Sequence, residues 1–388
     1  MIQTPLMNIP YGSPCIGEEE RQAVCAVLSS RILVHGIQGR QFAADFGSYI
    51  GVGPEFCVPT SSCMAALHLA SIHFGFGPGD EIIVPAQTHV ATVHAIELTG
   101  ATPVFVDCRL PNGNLDPEQV AAAVTPRTRA ISVVHFLGIP APMAELLEIA
   151  QRHNLRVIED CATAVGSHYR GTHVGLLGDI GCFSFYPTKH MTTGEGGMFV
   201  SRHVEIAQKV ERFRAFHVDR SHGERSIPGV YDVNGVGMNY RMGEMAAAIG
   251  CVQLTHIGEM EARRRHNFSR LKERIGAVDD VLVLDSDDSR DDYVPYTFSV
   301  MLCGRRAETR NAFARRLNEA GIGTSVHYPH PVSRLTYYAE KYGWDAARYP
   351  NATAISDRSI NLPVAPHVND TAVDYIADTF TQIAREVL

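Results

Sequence analysis

One lysine in this chain sits where a lysine has little structural reason to be. In the stretch Cys182–Val200, CFSFYPTKHMTTGEGGMFV, an apolar strand-like run ends at Tyr186, Pro187 breaks it, and Lys189 follows. A glycine-bounded acidic turn from Gly194 to Gly197 then returns the chain to apolar residues. Lys189, Lys209, Lys272 and Lys341 are the only lysines among 34 Lys and Arg residues, so charge is otherwise met with arginine. Lysine, unlike arginine, can lose its proton near neutral pH when desolvated, and its free amine attacks carbonyls to form a Schiff base. The plain alternative is a loop lysine in a strand–turn–strand. Local sequence leaves both open, and distant segments decide.

Four segments supply what a pyridoxal phosphate (PLP) site needs. Pro59-Thr60-Ser61-Ser62 precedes the helical run Cys63–His68. Small hydroxyl residues at a helix start leave backbone N–H groups pointing outward, which suits a phosphate or simply caps the helix. RVIED places Asp160 at the carboxyl end of a buried strand, where it could pair with a protonated pyridine nitrogen or cap the next turn. Ser184 lies in the strand before Lys189, within reach of a phosphate or of the backbone. Asn239-Tyr240-Arg241-Met242 opens the helix-like run GEMAAAIGCVQL, and an amide and a guanidinium there suit a further phosphate contact or a cap with a surface arginine.

The elements that must position these residues alternate. Strand candidates are Glu81–Ala86, Thr102–Asp107, Ala130–Leu137, Arg156–Asp160, Ile180–Tyr186 and Gly197–Ser201. Helical periodicity separates them over Ser61–His73, Ala91–Thr99, Pro117–Ala123 and Pro142–His153. Near-continuous apolar strands between amphipathic helices predict an α/β fold, a mostly parallel sheet covered on both faces, with ligands at the carboxyl ends of its strands. A helix is expected over Gly17–Leu33, with Glu18, Glu19 and Glu20 suiting its dipole. From about Ile257 the pattern becomes α+β: a charged helix with three arginines at 263–265, an acidic stretch at 285–292 expected to be a solvated loop, a strand near Tyr296–Leu302, then helices. With 388 residues exceeding one ordinary core, the expected division is a large domain over 1–256 and a smaller C-terminal α+β domain over 257–388.

Taken in order, these segments resemble the PLP-dependent sugar aminotransferases of the DegT/DnrJ/StrS group, built on the aspartate-aminotransferase fold. The resemblance runs from about Gly12 to the C-terminus and includes AALHLA (65–70), GPGDEIIVPAQTHVATVHAI (77–96), VIEDCA (157–162), FSFYPTKHMTTGEGG (183–197), NYRMGEMAAAIG (239–250) and GIGTSVHYP (321–329). It implies that Lys189 forms the Schiff base with PLP and that Asp160 partners the pyridine nitrogen. Ser184 and the turn Ser62-Cys63-Met64 match the phosphate cradle. Asn239 matches an asparagine that reaches the phosphate across a dimer interface, which implies a homodimer with shared active sites. His89 matches the position whose ring stacks on the cofactor, and His327 falls near the sugar site. The implied reaction moves an amino group from L-glutamate to a keto-sugar, expected to be a nucleotide-linked keto-deoxysugar.

Three departures stand out. Cys63-Met64 replaces a frequent Gly-Thr in the cradle, so backbone N–H groups must serve. Thr163 stands where a longer glutamine or histidine touches the ring hydroxyl. Ser333 replaces the second histidine after HYP, which bears on the substrate more than on the chemistry. One alternative is an aminotransferase on a keto-cyclitol or another natural-product ketone. A related dehydratase carries histidine in place of the lysine. His190 adjoins Lys189, but counting back from GEGG aligns Lys189 with the Schiff-base position, and the scattered cysteines suggest no iron–sulfur cluster or other metal site. A catalytically silent regulator could lose Lys189 or Asp160, yet both are present. A net charge of −8 argues against nucleic acid or an anionic membrane as main partner. No apolar run approaches a membrane span, and the start, MIQTPLMNIPYGSP, lacks the basic and apolar regions of a secretory leader. Nine cysteines, none spaced C-x-x-C, read as reduced thiols and fit a cytoplasmic protein.

Overall fold

The computed structural model describes residues 7–219, 227 and 229–386, so the first six residues of the N-terminal stretch lie outside it. In chain order the strands are β1 Cys57–Thr60, β2 Glu81–Pro85, β3 Thr102–Val106, β4 Thr128–Val134, β5 Arg156–Asp160, the two-residue pair β6 His168–Tyr169 and β7 Thr172–His173, β8 Ile180–Ser184, β9 Gly197–Ser201, β10 Val281–Val283, β11 Phe298–Leu302 and β12 Ser359–Leu362. Seven of them form one sheet in the order β1-β9-β8-β5-β4-β2-β3. β3, β2, β4, β5 and β8 pair in parallel, whereas β9 runs antiparallel to both β8 and β1. Every strand except β9 therefore points the same way, and their carboxyl ends share one edge.

Why these segments become central strands follows from burial on both faces. Alternate residues of a strand face opposite sides. Ile82, Val84, Ala130, Ile158 and Phe199 enter one core with the helices Cys63–His73 and Val90–Glu97. Ile83, Ile131, Val133, Val157 and Val200 enter another with Phe42 and Phe46 of the helix Ile37–Ile50 and Leu146 of the helix Met143–His153. A third core lies in the C-terminal part. There β10, β11 and β12 form an antiparallel sheet, and Phe268, Phe298, Phe313, Ile376 and Phe380 pack together from the helices Ile257–Ile275, Arg310–Glu319 and Asp370–Glu386 and from β11. Ile9 joins this third core and bridges to Ile322. No helix among the described residues is long and apolar enough to cross a membrane.

Within the large sheet, β1 is the strand that the apolar pattern did not announce. It is four residues long and contains Pro59, which an edge strand tolerates because one side of it needs no ladder. Its partner β9 begins at Gly197, which pairs with Thr60 on one side and Ser184 on the other. A Cβ at Gly197 would lie 2.4 Å from the Ser62 carbonyl carbon and 2.6 Å from the Cys63 nitrogen. The last glycine of GEGG thus lets β9 pass directly beneath the start of the helix Cys63–His73. Gly197→Ala is expected to cost about 1–3 kcal/mol in urea unfolding, because backbone must move to admit the methyl. Gly258→Ala, whose methyl meets nothing within 4 Å, is the control and should be neutral or stabilising. Equal behaviour of the two variants would contradict this packing.

Candidate active site

The shared edge collects the chemistry. Ser62 caps the helix Cys63–His73, its hydroxyl accepting from the Ala65 N–H at 3.1 Å, while the Thr60 hydroxyl donates to the Ser62 carbonyl at 2.9 Å. The N–H groups of Cys63 and Met64 have no intrahelical acceptor and take none elsewhere among the described residues. They and the cap form an anion-accepting turn. Ser184, buried at the end of β8, lies across Gly197 from it, and its oxygen is 3.4 Å from the Tyr186 N–H.

Asp160 ends β5 and is only 4% exposed. Its Oδ2 accepts from the Thr92 hydroxyl at 2.7 Å, and its Oδ1 accepts from the Ala162 N–H at 2.9 Å and from the Cys63 thiol at 3.8 Å. Burial first, then the Asp160 charge, pushes the Cys63 thiol well above its usual pKa, so it remains a neutral donor. That accounts for the unusual cysteine in the cradle: its side chain turns inward to the carboxylate. Thr92 is in turn bonded to Thr88 at 2.9 Å.

Lys189 lies in the connection between β8 and β9, its N–H bonded to the Tyr186 carbonyl at 2.9 Å. Its Nζ lies 4.8 Å from the centre of the Tyr296 ring, and the Tyr296 hydroxyl is 3.0 Å from Thr188 Oγ1. Lys189 acts electrostatically on Cys63, His89 and His327, and Asp160 acts on Cys63 and His89, so these side chains lie within electrostatic reach of one another. His89 is exposed at the start of the helix Val90–Glu97, and desolvation by the surrounding protein, then the Lys189 charge, lowers its pKa against the pull of Asp160. Its ring meets Tyr328 edge-on at 5.4 Å. His327 sits between Tyr11, whose hydroxyl is 3.4 Å from its Nδ1, and Tyr296, with ring centres 5.3 Å apart. The buried amide of Gln87 donates to the His327 carbonyl at 2.9 Å.

His190 is oriented differently. It is buried, its Nε2 lies 3.1 Å from the Val294 carbonyl, and burial followed by the Arg264 charge holds its pKa well below the usual value. It therefore packs as a neutral core residue. Thr163 is buried with its hydroxyl donating to the His135 carbonyl at 3.0 Å. Asn239 is exposed, on a segment whose neighbour Tyr240 accepts from the Ser61 N–H at 2.8 Å, beside the cradle. Thr92, Tyr296 and Gln87 are the residues that sequence reasoning missed. Their partners are 68 or more positions away, and no local pattern marks them.

Behind Asp160, Glu159 points to the opposite face of β5. It accepts from His135 Nε2 at 2.9 Å and from the N–H groups of Gly175, Leu177 and Gly178 at 2.7–2.9 Å. The Ala141 N–H donates to His135 Nδ1 at 3.0 Å, so Nε2 carries the proton. Burial would raise the Glu159 carboxyl, but His135 and these N–H groups bring it below the usual range. His135, Glu159 and Cys161 offer ligand atoms within 4.8 Å of one another. With the carboxylate oxygens already committed to four donors, the cluster is a structural network that holds the strand end.

The arrangement fits PLP: unpaired N–H groups for a phosphate, a buried carboxylate for a ring nitrogen and a lysine whose charge acts on Cys63 beside both. Residues 14–381 match the family model described as the DegT/DnrJ/EryC1/StrS aminotransferase family. The chain is 36% identical to the spore coat polysaccharide biosynthesis protein SpsC of Bacillus subtilis over 99% of both chains. It is 34% identical to GDP-perosamine synthase of Escherichia coli O157:H7, covering 96% of this chain and 98% of that one. The structure of Spr1654 from Streptococcus pneumoniae in its PLP-form superposes with a TM-score of 0.90 at 28% identity, covering 98% and 100% of the two chains.

The setting of His327 yields a pH test. Burial, then the Lys189 and His89 charges, push its imidazole down to about 3. Its unfolded-state pKa lies near 6.5, so the unfolded chain takes up the proton first as pH falls. The stability this neutral ring contributes is full above about pH 6.5 and is lost as pH falls below that value. His327→Asn should flatten the decline in urea-unfolding free energy between about pH 6.5 and 4.5. An unchanged slope would contradict the assigned environment.

Proposed function

Because the chain belongs to the DegT/DnrJ/EryC1/StrS family of PLP-dependent sugar aminotransferases, we propose that it moves an amino group from L-glutamate to a nucleotide-linked keto-deoxysugar. The observation that carries this reading is the meeting of Lys189, Asp160, His89 and the Ser62-Cys63-Met64 turn at one sheet edge. When bound, PLP supplies an electron sink for the carbanion at the donor's α-carbon. In this reading Lys189 would bond the cofactor's carbonyl carbon through Nζ and, once released, would carry a proton between the donor's α-carbon and that same cofactor carbon. Asp160, oriented by Thr92 and Ala162, keeps the ring nitrogen protonated. The Cys63 and Met64 N–H groups and the Ser62 and Ser184 hydroxyls would take the phosphate, and His89 would stack on the ring. Thr163 would stand toward the ring hydroxyl, and His327, neutral, would face the sugar.

The acceptor class is supported by the polysaccharide and GDP-sugar relatives. We further propose a cytoplasmic homodimer in which Asn239 completes the partner's phosphate site. Exposed apolar side chains support it: Ile32, Leu33, Val34 and Ile37 on one run, Val230, Tyr231, Val233 and Val236 on another. We take residues 257–388 as the small domain, since that range supplies most of the third core. Lys189→Ala is expected to abolish turnover while the melting temperature persists, and Asp160→Asn to lower kcat by at least about 100-fold. Steady-state transamination by Lys189→Ala would overturn the assignment.

A further inference from the structure

The three consecutive arginines at 263–265 do not share one role. Arg263 turns to the surface and donates to Asp370 at 2.7 Å, and Arg265 donates to Asp292 at 3.1 Å. Arg264 points inward and is 2% exposed. Among the described residues no carboxylate pairs with it. Its NH1 donates to the Tyr296 carbonyl at 2.9 Å and its NH2 to the Lys189 carbonyl at 3.0 Å, and its Nε has no acceptor. Burial lowers its pKa to about 10, which leaves it cationic near neutral pH.

An unpaired buried guanidinium is costly, and an apolar residue of similar volume usually packs there at no loss of stability. What this one achieves is geometric. The two carbonyls it holds belong to the lysine and to the aromatic ring lying against that lysine's Nζ. A planar fork can hold both at once, and an ammonium cannot reproduce that geometry. Arg264 comes from the helix Ile257–Ile275, whereas Lys189 lies between two strands of the large sheet.

We propose that Arg264 is a positioning residue for the reacting lysine: its guanidinium fixes the backbone of Lys189 and of Tyr296 together and keeps a permanent cation behind the amine. The inference rests on the reading of Lys189 given above. The titratable groups facing the amine are Asp160, Cys63, His89, His190, His327 and Tyr296, and those facing the guanidinium are His190, His367, Tyr11, Tyr296 and Cys15. Removing Arg264 takes away a cation that favours the uncharged form of the lysine nitrogen.

The holoenzymes of Arg264→Lys and Arg264→Met test this through kcat, donor KM and the pH midpoint of the cofactor's visible band. Loss of the fork should lower kcat by about 10–100-fold in both variants with donor KM within about twofold. The visible-band midpoint should rise by about one unit in Arg264→Met and stay near wild type in Arg264→Lys, which retains the charge. Variants that lose only melting temperature, keeping kcat and midpoint, overturn the proposal. If Arg264→Met does not fold, an unchanged kcat in Arg264→Lys alone overturns it. Borohydride reduction of wild type followed by peptide mass mapping separates the two failures. Cofactor found on Lys209, Lys272 or Lys341 sinks the lysine assignment itself, whereas cofactor on Lys189 with indifferent Arg264 variants sinks only the positioning role.

Discussion

A carboxylate buried at the end of a central strand is the constraint on which the rest of this structure depends. Asp160 is almost wholly withdrawn from water, and such a charge is tolerated only where donors converge on it. Those donors come from separate elements: Thr92 from the helix after β2, Cys63 from the helix after β1, and Ala162 from the turn after β5 itself. Meeting one charge therefore sets the spacing of three elements at the sheet edge. The period of the strand does the rest. Glu159, one residue earlier, faces the other side, where it gathers His135 and three backbone N–H groups and closes the turn at 175–178.

The lysine is supported in another way. It sits in the connection between β8 and β9, and nothing in the main sheet's hydrogen-bond ladder fixes its carbonyl. The contacts that do so come from the C-terminal part of the chain, through Arg264, while Tyr296 supplies the aromatic face beside the amine. The pairing of a mostly parallel sheet with a smaller antiparallel one thus has a local consequence: Lys189 and the buried Asp160 carboxylate are held by different parts of the chain.

Much of the frame was legible because central parallel strands are apolar on both faces, and EIIVP, VIED and the run before Tyr186 read as such. The candidate residues were legible where a turn or helix start brackets them, as at Ser62, Asp160 and Lys189. Less was visible where burial has no periodic signature. β1 hid as a cap because Pro59 argues against a strand unless the strand is an edge. The helix Ile37–Ile50 is absent from the sequence reading, its apolar face diluted by Gly39 and Gly47. The strand expected over Ala130–Leu137 stops at Val134, because Leu137 takes φ 56° in a tight turn. Arg264 stood out only as one of three arginines in a charged helix, since composition cannot tell which arginine of a triplet turns inward.

Whether this site binds PLP and takes an amino group from L-glutamate is tested by the visible absorption spectrum of the purified protein before and after L-glutamate is added. The expected result is a cofactor band that gives way to the pyridoxamine form. A band indifferent to L-glutamate would contradict the proposed donor, and no band even after PLP is added would contradict the site itself.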